Sequence, residues 1–150
     1  MSWTAVVRKP FEQELHDMYD APAKERIANF MEAKCGVTVE TNPDQYGIDL
    51  LVSKDGNYVG GTEVEVRQWS PTCPFATIHV PERKEKFFGK NTLYFALTKD
   101  MRSAYWIEGE KVKEYPIREV SNYKVANGEK FYDVPTSAFT YTSLEVTSDT

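Results

Sequence analysis

The sequence predicts one mixed α/β domain of 150 residues with a central β-sheet and flanking helices. Three observations indicate this class: helical spacing of apolar residues near residue 30, a hairpin pattern after it, and a nearly continuous apolar run at 92–98. The hydrophobic fraction of 41% and the aromatic fraction of 13% are typical of a globular chain rather than a disordered one. A chain of this length can bury a core without disulfides.

A helix is predicted over residues 22–35, after a shorter one at 10–19. Pro22 suits the first turn of the longer helix, and Gly36 suits the position just after its last turn. Between them, apolar residues recur at helical spacing and form one stripe: Ala23, Ile27, Phe30 and Met31. This stripe should face the core.

Strands follow at 37–41 and 48–53, and a longer strand starts at residue 58. The turn before the longer strand contains Asp55 and Gly56, which accept the positive φ angles of a tight hairpin. The adjacent glycines at 60–61 indicate a bulge or a close backbone approach in the returning strand.

The rest of the chain predicts a strand at 75–80, a short helix between Pro81 and Gly89, and a strand at 92–98 covered on both faces. Residues 103–117 indicate two short strands around a Glu-Gly turn, and the segment that follows offers another short strand or turn. We expect a single domain over 1–150, with a core at about 22–100 and a β-rich extension at about 101–145.

Three acidic residues stand among apolar neighbours in the hairpin: Asp49, Glu63 and Glu65. Successive strand residues point to opposite faces, so Glu63, Glu65 and Arg67 share one face, and a hairpin of this length can bring Asp49 beside Glu63. Close carboxylates repel by several kcal/mol at an effective dielectric of about 20. Either a raised pKa or a divalent cation must compensate, and Mg²⁺ is commonly held by one or two carboxylates. An ordinary solvated strand face is the alternative interpretation.

The run "GIDLLV", a hairpin and "GTEVEVRQW" together resemble the core of the PD-(D/E)xK nuclease superfamily. The resemblance covers about residues 22–100. It implies a restriction-endonuclease-like core, a central mixed sheet flanked by helices, and hydrolysis of phosphodiester bonds in DNA with Mg²⁺ or Mn²⁺. By position, Asp49 and Glu63 would be metal ligands. Glu65 stands where the superfamily usually has lysine, and would bind a second metal or act as a base. Arg67, or a lysine from residues 82–88, could supply the missing positive charge.

Two further groups of residues belong to this hypothesis. "KERIANFMEAKCG" is similar to the first helix of archaeal Holliday-junction resolvases, and Glu25 matches their helix glutamate; a solvated helix face is the alternative. Four basic residues make a small patch that could hold the DNA backbone, or could equally be a solvated helix face: Arg83, Lys84, Lys86 and Lys90.

The resemblance leaves more than one function open. The first is an active endonuclease that works as a homodimer, since many such enzymes pair up to cut both strands. The second is a nuclease-like domain that has lost catalysis and binds nucleic acid or protein. The third is a small α/β interaction protein without any site. A domain this small would suit a phage or mobile-element nuclease.

Composition excludes several other classes of protein. A net charge of −5 is not that of a nucleic-acid coat protein, although it is compatible with a nuclease. Cys35 and Cys73 are expected to be reduced thiols, and two histidines are too few for a structural zinc site. The first residues lack a signal-peptide pattern, and no apolar run approaches the roughly 20 residues that span a membrane. We therefore expect a cytoplasmic protein with no membrane segment.

Overall fold

The computed structural model describes residues 19–122 and 125–145, so the helix predicted at 10–19 falls outside it apart from its last residue. The helical elements are α1 (Ala21–Cys35), a 3₁₀ helix (Glu82–Phe87), α2 (Gly109–Val112) and a 3₁₀ turn (Thr136–Ala138). The strands are β1 (Thr38–Thr41), β2 (Leu50–Lys54), β3 (Asn57–Val66), β4 (Thr77–Pro81), β5 (Thr92–Leu97), β6 (Ser103–Glu108), β7 (Ile117–Asn122), β8 (Val125–Pro135) and β9 (Thr140–Ser143).

The strands form a six-stranded sheet in the order β9-β6-β5-β3-β2-β1 and a three-stranded sheet in the order β4-β8-β7. In the larger sheet β3 and β5 are parallel and every other pair is antiparallel. The fold class predicted from sequence, mixed α/β with a central mixed sheet, is therefore confirmed. The covering layers differ on the two faces: α1 packs on one, and the small sheet with its 3₁₀ helix packs on the other.

Helix α1 follows its predicted pattern closely. Pro22 lies in its first turn, and Gly36 ends it in the left-handed conformation with φ of 67°. The apolar stripe faces the sheet, where Phe30 packs edge-on against Phe95 at 6.3 Å between ring centroids. The buried side chains on this face form one cluster: Ala23, Ile27, Met31, Val39, Leu50, Val52, Val64, Phe95, Leu97, Met101, Ala104 and Leu144. Burying one large apolar side chain stabilises the fold by about 1.5–3 kcal/mol.

The β2–β3 hairpin also has the predicted turn. Asp55 and Gly56 both have positive φ, at 54° and 83°. The ladder shifts register between Val52 and Ser53, which is an irregularity of the predicted kind. At Gly60 a Cβ atom would lie 2.0 Å from the carbonyl oxygen of Asn91, so the close backbone approach is present as well.

Strand β5 is covered on both faces, as its apolar run predicts. Phe95 and Leu97 face the α1 side, while Tyr94 and Ala96 face the small sheet. The second cluster joins the two sheets through Ile78, Val80, Phe88, Tyr94, Ala96, Tyr105, Ile107, Val112, Tyr132, Val134 and Phe139. This second layer brings β4 and its 3₁₀ helix over the acidic face of β3.

The hairpin expected at residues 103–117 is wrong. Strand β6 already has β5 and β9 as neighbours, so the chain leaves the large sheet through α2 and enters the small sheet as β7. The expected Glu-Gly turn begins α2, where Gly109 packs so tightly that a Cβ atom would lie 2.4 Å from Thr92 Oγ1. The last segment also contains a longer strand than expected, since β8 has 11 residues. In the described part of the chain, no helix is long and apolar enough to cross a membrane.

Candidate active site

The hairpin register brings Asp49 and Glu63 side by side. Leu50 of β2 pairs with Thr62 of β3 in an antiparallel ladder. Asp49, the residue before β2, therefore lies opposite Glu63. The backbone N–H of Asp49 donates to Glu63 Oε2 at 2.8 Å, and the N–H of Val64 donates to Asp49 Oδ2 at 2.9 Å. Each carboxylate is thus fixed by the neighbouring strand, and one oxygen of each is left for other partners.

Two lysines face those remaining oxygens. Lys84, from the 3₁₀ helix, places Nζ 2.8 Å from Glu63 Oε1, and Lys24, from α1, places Nζ 3.6 Å from Asp49 Oδ1. The pair at Glu63 is well buried, because the side chains of Glu63 and Lys84 are 2% and 13% exposed. Burial raises the pKa of Glu63 above its ordinary value; the Lys84 charge opposes that effect only in part, and the Asp49 charge adds to it.

Glu65 has a different environment from Glu63. The Tyr94 hydroxyl donates to Glu65 Oε1, and Arg67 Nη2 lies 3.3 Å from the same oxygen. Arg67 Nη2 also donates to the Tyr94 hydroxyl and to the carbonyl of His79, each at 2.6 Å. Burial alone would raise the pKa of Glu65, but the charges of Arg67 and Lys84 and the Tyr94 hydrogen bond outweigh it and lower that pKa.

Lys84 is the cation that links the two ends of the acidic face. Burial alone would lower its pKa, but the nearby charges of Glu65, Glu63 and Asp49 outweigh burial and raise it. Lys84 is therefore an ammonium at neutral pH. It supplies positive charge from the 82–88 segment, which is one of the two sources that the sequence suggested.

The donor chemistry fits a hard divalent cation at Asp49 and Glu63. Asp49 Oδ1 and Glu63 Oε1 are carboxylate oxygens without a backbone hydrogen bond, and Mg²⁺ takes such ligands together with water and phosphate. Glu65 turns instead toward Tyr94 and Arg67. Within residues 19–122 and 125–145, no three His, Cys, Asp or Glu side chains converge in a metal-binding group. The pair could hold one ion, with Glu65 outside its immediate ligands.

Glu25 is exposed on α1, and no hydrogen bond or ion pair in the described part of the chain joins it to Asp49 or Glu63. The helix presents Lys24 to the site instead. Lys24 was not predicted from the sequence, because every polar residue in one turn of the helix is equally compatible with a solvent-exposed face. Tyr94 was not predicted either, although a tyrosine inside a fully buried strand needs a polar partner and was a usable signal.

The four basic residues of the 82–90 segment have separate environments. Lys84 reaches the carboxylates, whereas Arg83 Nε lies 3.9 Å from Glu129 Oε1 and Lys86 Nζ lies 5.1 Å from the centre of the Phe87 ring. Lys90 is exposed and lines a cavity of about 460 Å³ beside Gly60 and α2. Of this group, only Lys84 is part of the carboxylate cluster.

The chain matches no known protein family and no curated protein. The solved structure of a nuclease from a fusselovirus is similar to this chain, with a TM-score of 0.48 and 14% sequence identity. The aligned region covers 87% of this chain and 88% of that one.

Proposed function

We propose that this protein is a metal-dependent nuclease that hydrolyses phosphodiester bonds, and that its substrate is DNA cut internally. The observation that carries the proposal is the Asp49–Glu63 pair, in which each carboxylate keeps one oxygen off the backbone and Glu63 contacts Lys84 at 2.8 Å. Paired carboxylates and an adjacent ammonium are the groups that phosphodiester hydrolysis needs to hold a cation and to neutralise developing charge. The motif resemblance supports DNA as the substrate.

The residues have distinct roles in this proposal. Asp49 Oδ1 and Glu63 Oε1 would hold Mg²⁺ or Mn²⁺, which when bound supplies positive charge to the scissile phosphate and acidifies the attacking water. Lys84 would donate hydrogen bonds to the phosphate or to the water, which is the role of the motif lysine in the superfamily that the sequence resembles. Glu65 is a weak base because its pKa is lowered, so its role is to bind Arg67 and to attract the charge of Lys84.

Substrate binding needs more positive charge than the cluster supplies. Arg83 and Lys86 are exposed on the same short helix as Lys84 and would contact the DNA backbone, with Lys90 further along the segment. The described part of each chain contains one such cluster, so cutting both strands would take two copies, and we propose a homodimer on DNA. A cytoplasmic location belongs to the same proposal.

The test is cleavage of labelled linear duplex, junction and single-stranded DNA, with RNA beside them, in Mg²⁺ or Mn²⁺ and in EDTA. Wild-type protein should cut at least one DNA substrate only with metal. Glu63→Gln keeps the size and the acceptor for Lys84 but removes the charge, and should abolish cutting. Lys113→Gln, an exposed lysine outside the cluster, is the matched control and should cut like wild type. Cutting that persists in EDTA or in Glu63→Gln would refute the proposal.

A specific observation favours a second candidate, a nuclease-like binding module without catalysis. Each carboxylate of the cluster already has a cation within reach: Lys24 for Asp49, Lys84 for Glu63 and Arg67 for Glu65. The cluster is therefore formally neutral without any metal, and the position of the motif lysine is acidic. This candidate predicts DNA or protein binding that is unchanged by EDTA, together with no metal binding by calorimetry and no cleavage.

A further inference from the structure

We propose that Lys84 is a displaceable counterion, which neutralises Glu63 while no metal is bound and moves to Glu65 when a metal takes Glu63. The inference rests on the proposed function, since it concerns how that site accepts its metal. In this proposal Glu65 is the second ion-pair partner of Lys84 and is not a metal ligand.

The lysines occupy the same oxygens that a metal would need. Asp49 Oδ2 and Glu63 Oε2 are committed to backbone N–H groups of the hairpin, at 2.9 and 2.8 Å. Only Asp49 Oδ1 and Glu63 Oε1 remain, and these two face Lys24 and Lys84. A divalent cation bound there would share a carboxylate oxygen with an ammonium, and two cations in contact with one oxygen repel each other strongly.

Lys84 can be displaced because a second carboxylate, that of Glu65, lies on the same face. Glu65 lies two residues further along β3 on the same face as Glu63, and Glu65 and Lys84 attract each other across that face. Glu65 binds Tyr94 and Arg67 through Oε1, and no hydrogen bond or ion pair from the side chains of residues 19–119 and 129–145 engages its Oε2. The flexible stem of Lys84 can therefore carry its charge from one carboxylate to the next without leaving the cluster.

The displaced position is useful for chemistry. Beside Glu65, Lys84 would still lie next to the Glu63 end of the face, where the phosphate and the attacking water must be. The metal-free protein would avoid the cost of a buried unpaired carboxylate at Glu63, which is only 2% exposed. The consequence is a metal affinity that the lysine weakens, since each binding event must first break the Glu63–Lys84 ion pair.

Calorimetric titration of Mg²⁺ and Mn²⁺ without DNA, at mildly alkaline pH, tests this inference. Lys84→Gln should bind metal roughly tenfold more tightly than wild type, the size expected for removing one like charge from a partly screened site. Glu65→Gln should bind metal more weakly than wild type, because the displaced lysine loses its second partner. Lys113→Gln is again the matched control and should bind like wild type.

Two further variants separate the possible failures. Lys24→Gln removes the more exposed lysine, should also tighten metal binding, and serves where Lys84→Gln does not fold. Glu63→Gln should lose metal binding. If Glu63→Gln loses metal binding but the lysine variants bind equally or more weakly than wild type, the counterion inference is wrong and the proposed function stands. If wild type, Glu63→Gln and the lysine variants all bind no metal, both are overturned.

Discussion

Tyr94→Phe tests whether the polar network under Glu65 is a structural element of the site. The Tyr94 ring is fully buried, and its hydroxyl donates to Glu65 Oε1 while it accepts a hydrogen bond from Arg67 Nη2 at 2.6 Å. Burial raises the pKa of Tyr94 well above its ordinary value of 10.0, and the Arg67 charge opposes this only in part. The hydroxyl therefore remains a donor across the working pH range, and phenylalanine removes it without changing the packing of the ring.

The expected loss follows from the partners that remain. A hydrogen bond to a charged group contributes about 1.5–3 kcal/mol. Two such bonds disappear, but Glu65 keeps Arg67 at 3.3 Å and some contact with water, and Arg67 keeps the carbonyl of His79 at 2.6 Å. We therefore expect the free energy of unfolding to fall by about 2–3 kcal/mol, which at this chain length lowers Tm by about 4–12 °C.

Urea unfolding and thermal melts measure this loss, and Tyr105→Phe is the matched control. The Tyr105 hydroxyl accepts a hydrogen bond from the neutral N–H of Cys73 at 3.0 Å, so its removal should cost about 1 kcal/mol. A Tyr94→Phe protein as stable as Tyr105→Phe, or more stable, would refute the argument that the hydroxyl is held between two charges. Glu65 would then owe its position to Arg67 alone.

Two other predictions concern the backbone and the small sheet. Gly60→Ala should lower the free energy of unfolding in urea by about 3 kcal/mol or more, because the added Cβ would lie 2.0 Å from a carbonyl oxygen. In the control variant Gly89→Ala the added Cβ meets no atom within 4 Å, so the free energy of unfolding should change by less than about 1 kcal/mol. Equal losses in the two variants would contradict this argument. At Asp133, burial alone would raise the pKa, but the hydrogen bond from Arg118 and the positive charge of Arg118 outweigh it and lower the pKa from its ordinary value of 3.8. Its stabilisation is thus present above about pH 4 and lost as pH falls through the lowered value. Asp133→Asn should therefore cost about 1 kcal/mol near pH 6 in urea titrations and progressively less as pH falls below 4, while a pH-independent loss would argue against the ion pair.

Local patterns predicted the fold well wherever one segment determined its own structure. The turn at Asp55-Gly56 and the left-handed Gly36 depend on the φ preferences of single residues, and both are as expected. The partner of a strand depends on distant segments instead, which is why the hairpin at 103–117 was wrong. Strand β6 alternates in the same way whether its neighbour is β7 or β9, and its sequence does not distinguish them.

The same distinction applies to the site. Strand alternation was sufficient to place Glu63 and Glu65 on one face, and hairpin length was sufficient to place Asp49 beside Glu63. The contact between Lys84 and Glu63 joins residues 21 positions apart in different elements, and it exists only because the small sheet folds over β3. The sequence of a charged helix face is the same whether the face meets solvent or a carboxylate. The sequence could therefore predict that a lysine of this segment contacts the acidic residues, but it could not distinguish Lys84 from its basic neighbours.

The glutamate at position 65 is explained by its surroundings once Lys84 is considered with it. A lysine at position 65 would place two ammonium groups beside Glu63, and with Arg67 close by the cluster would carry excess positive charge in a partly buried place. With glutamate there, Lys84 is attracted to the same region from another element, and Tyr94 and Arg67 hold that glutamate in an ionised form. The positive charge beside Glu63 is thus supplied by the 3₁₀ helix and not by β3 itself. Under the proposed function, the electrostatic arrangement, rather than the residue type at position 65 alone, would determine how the cluster binds a cation and a phosphate.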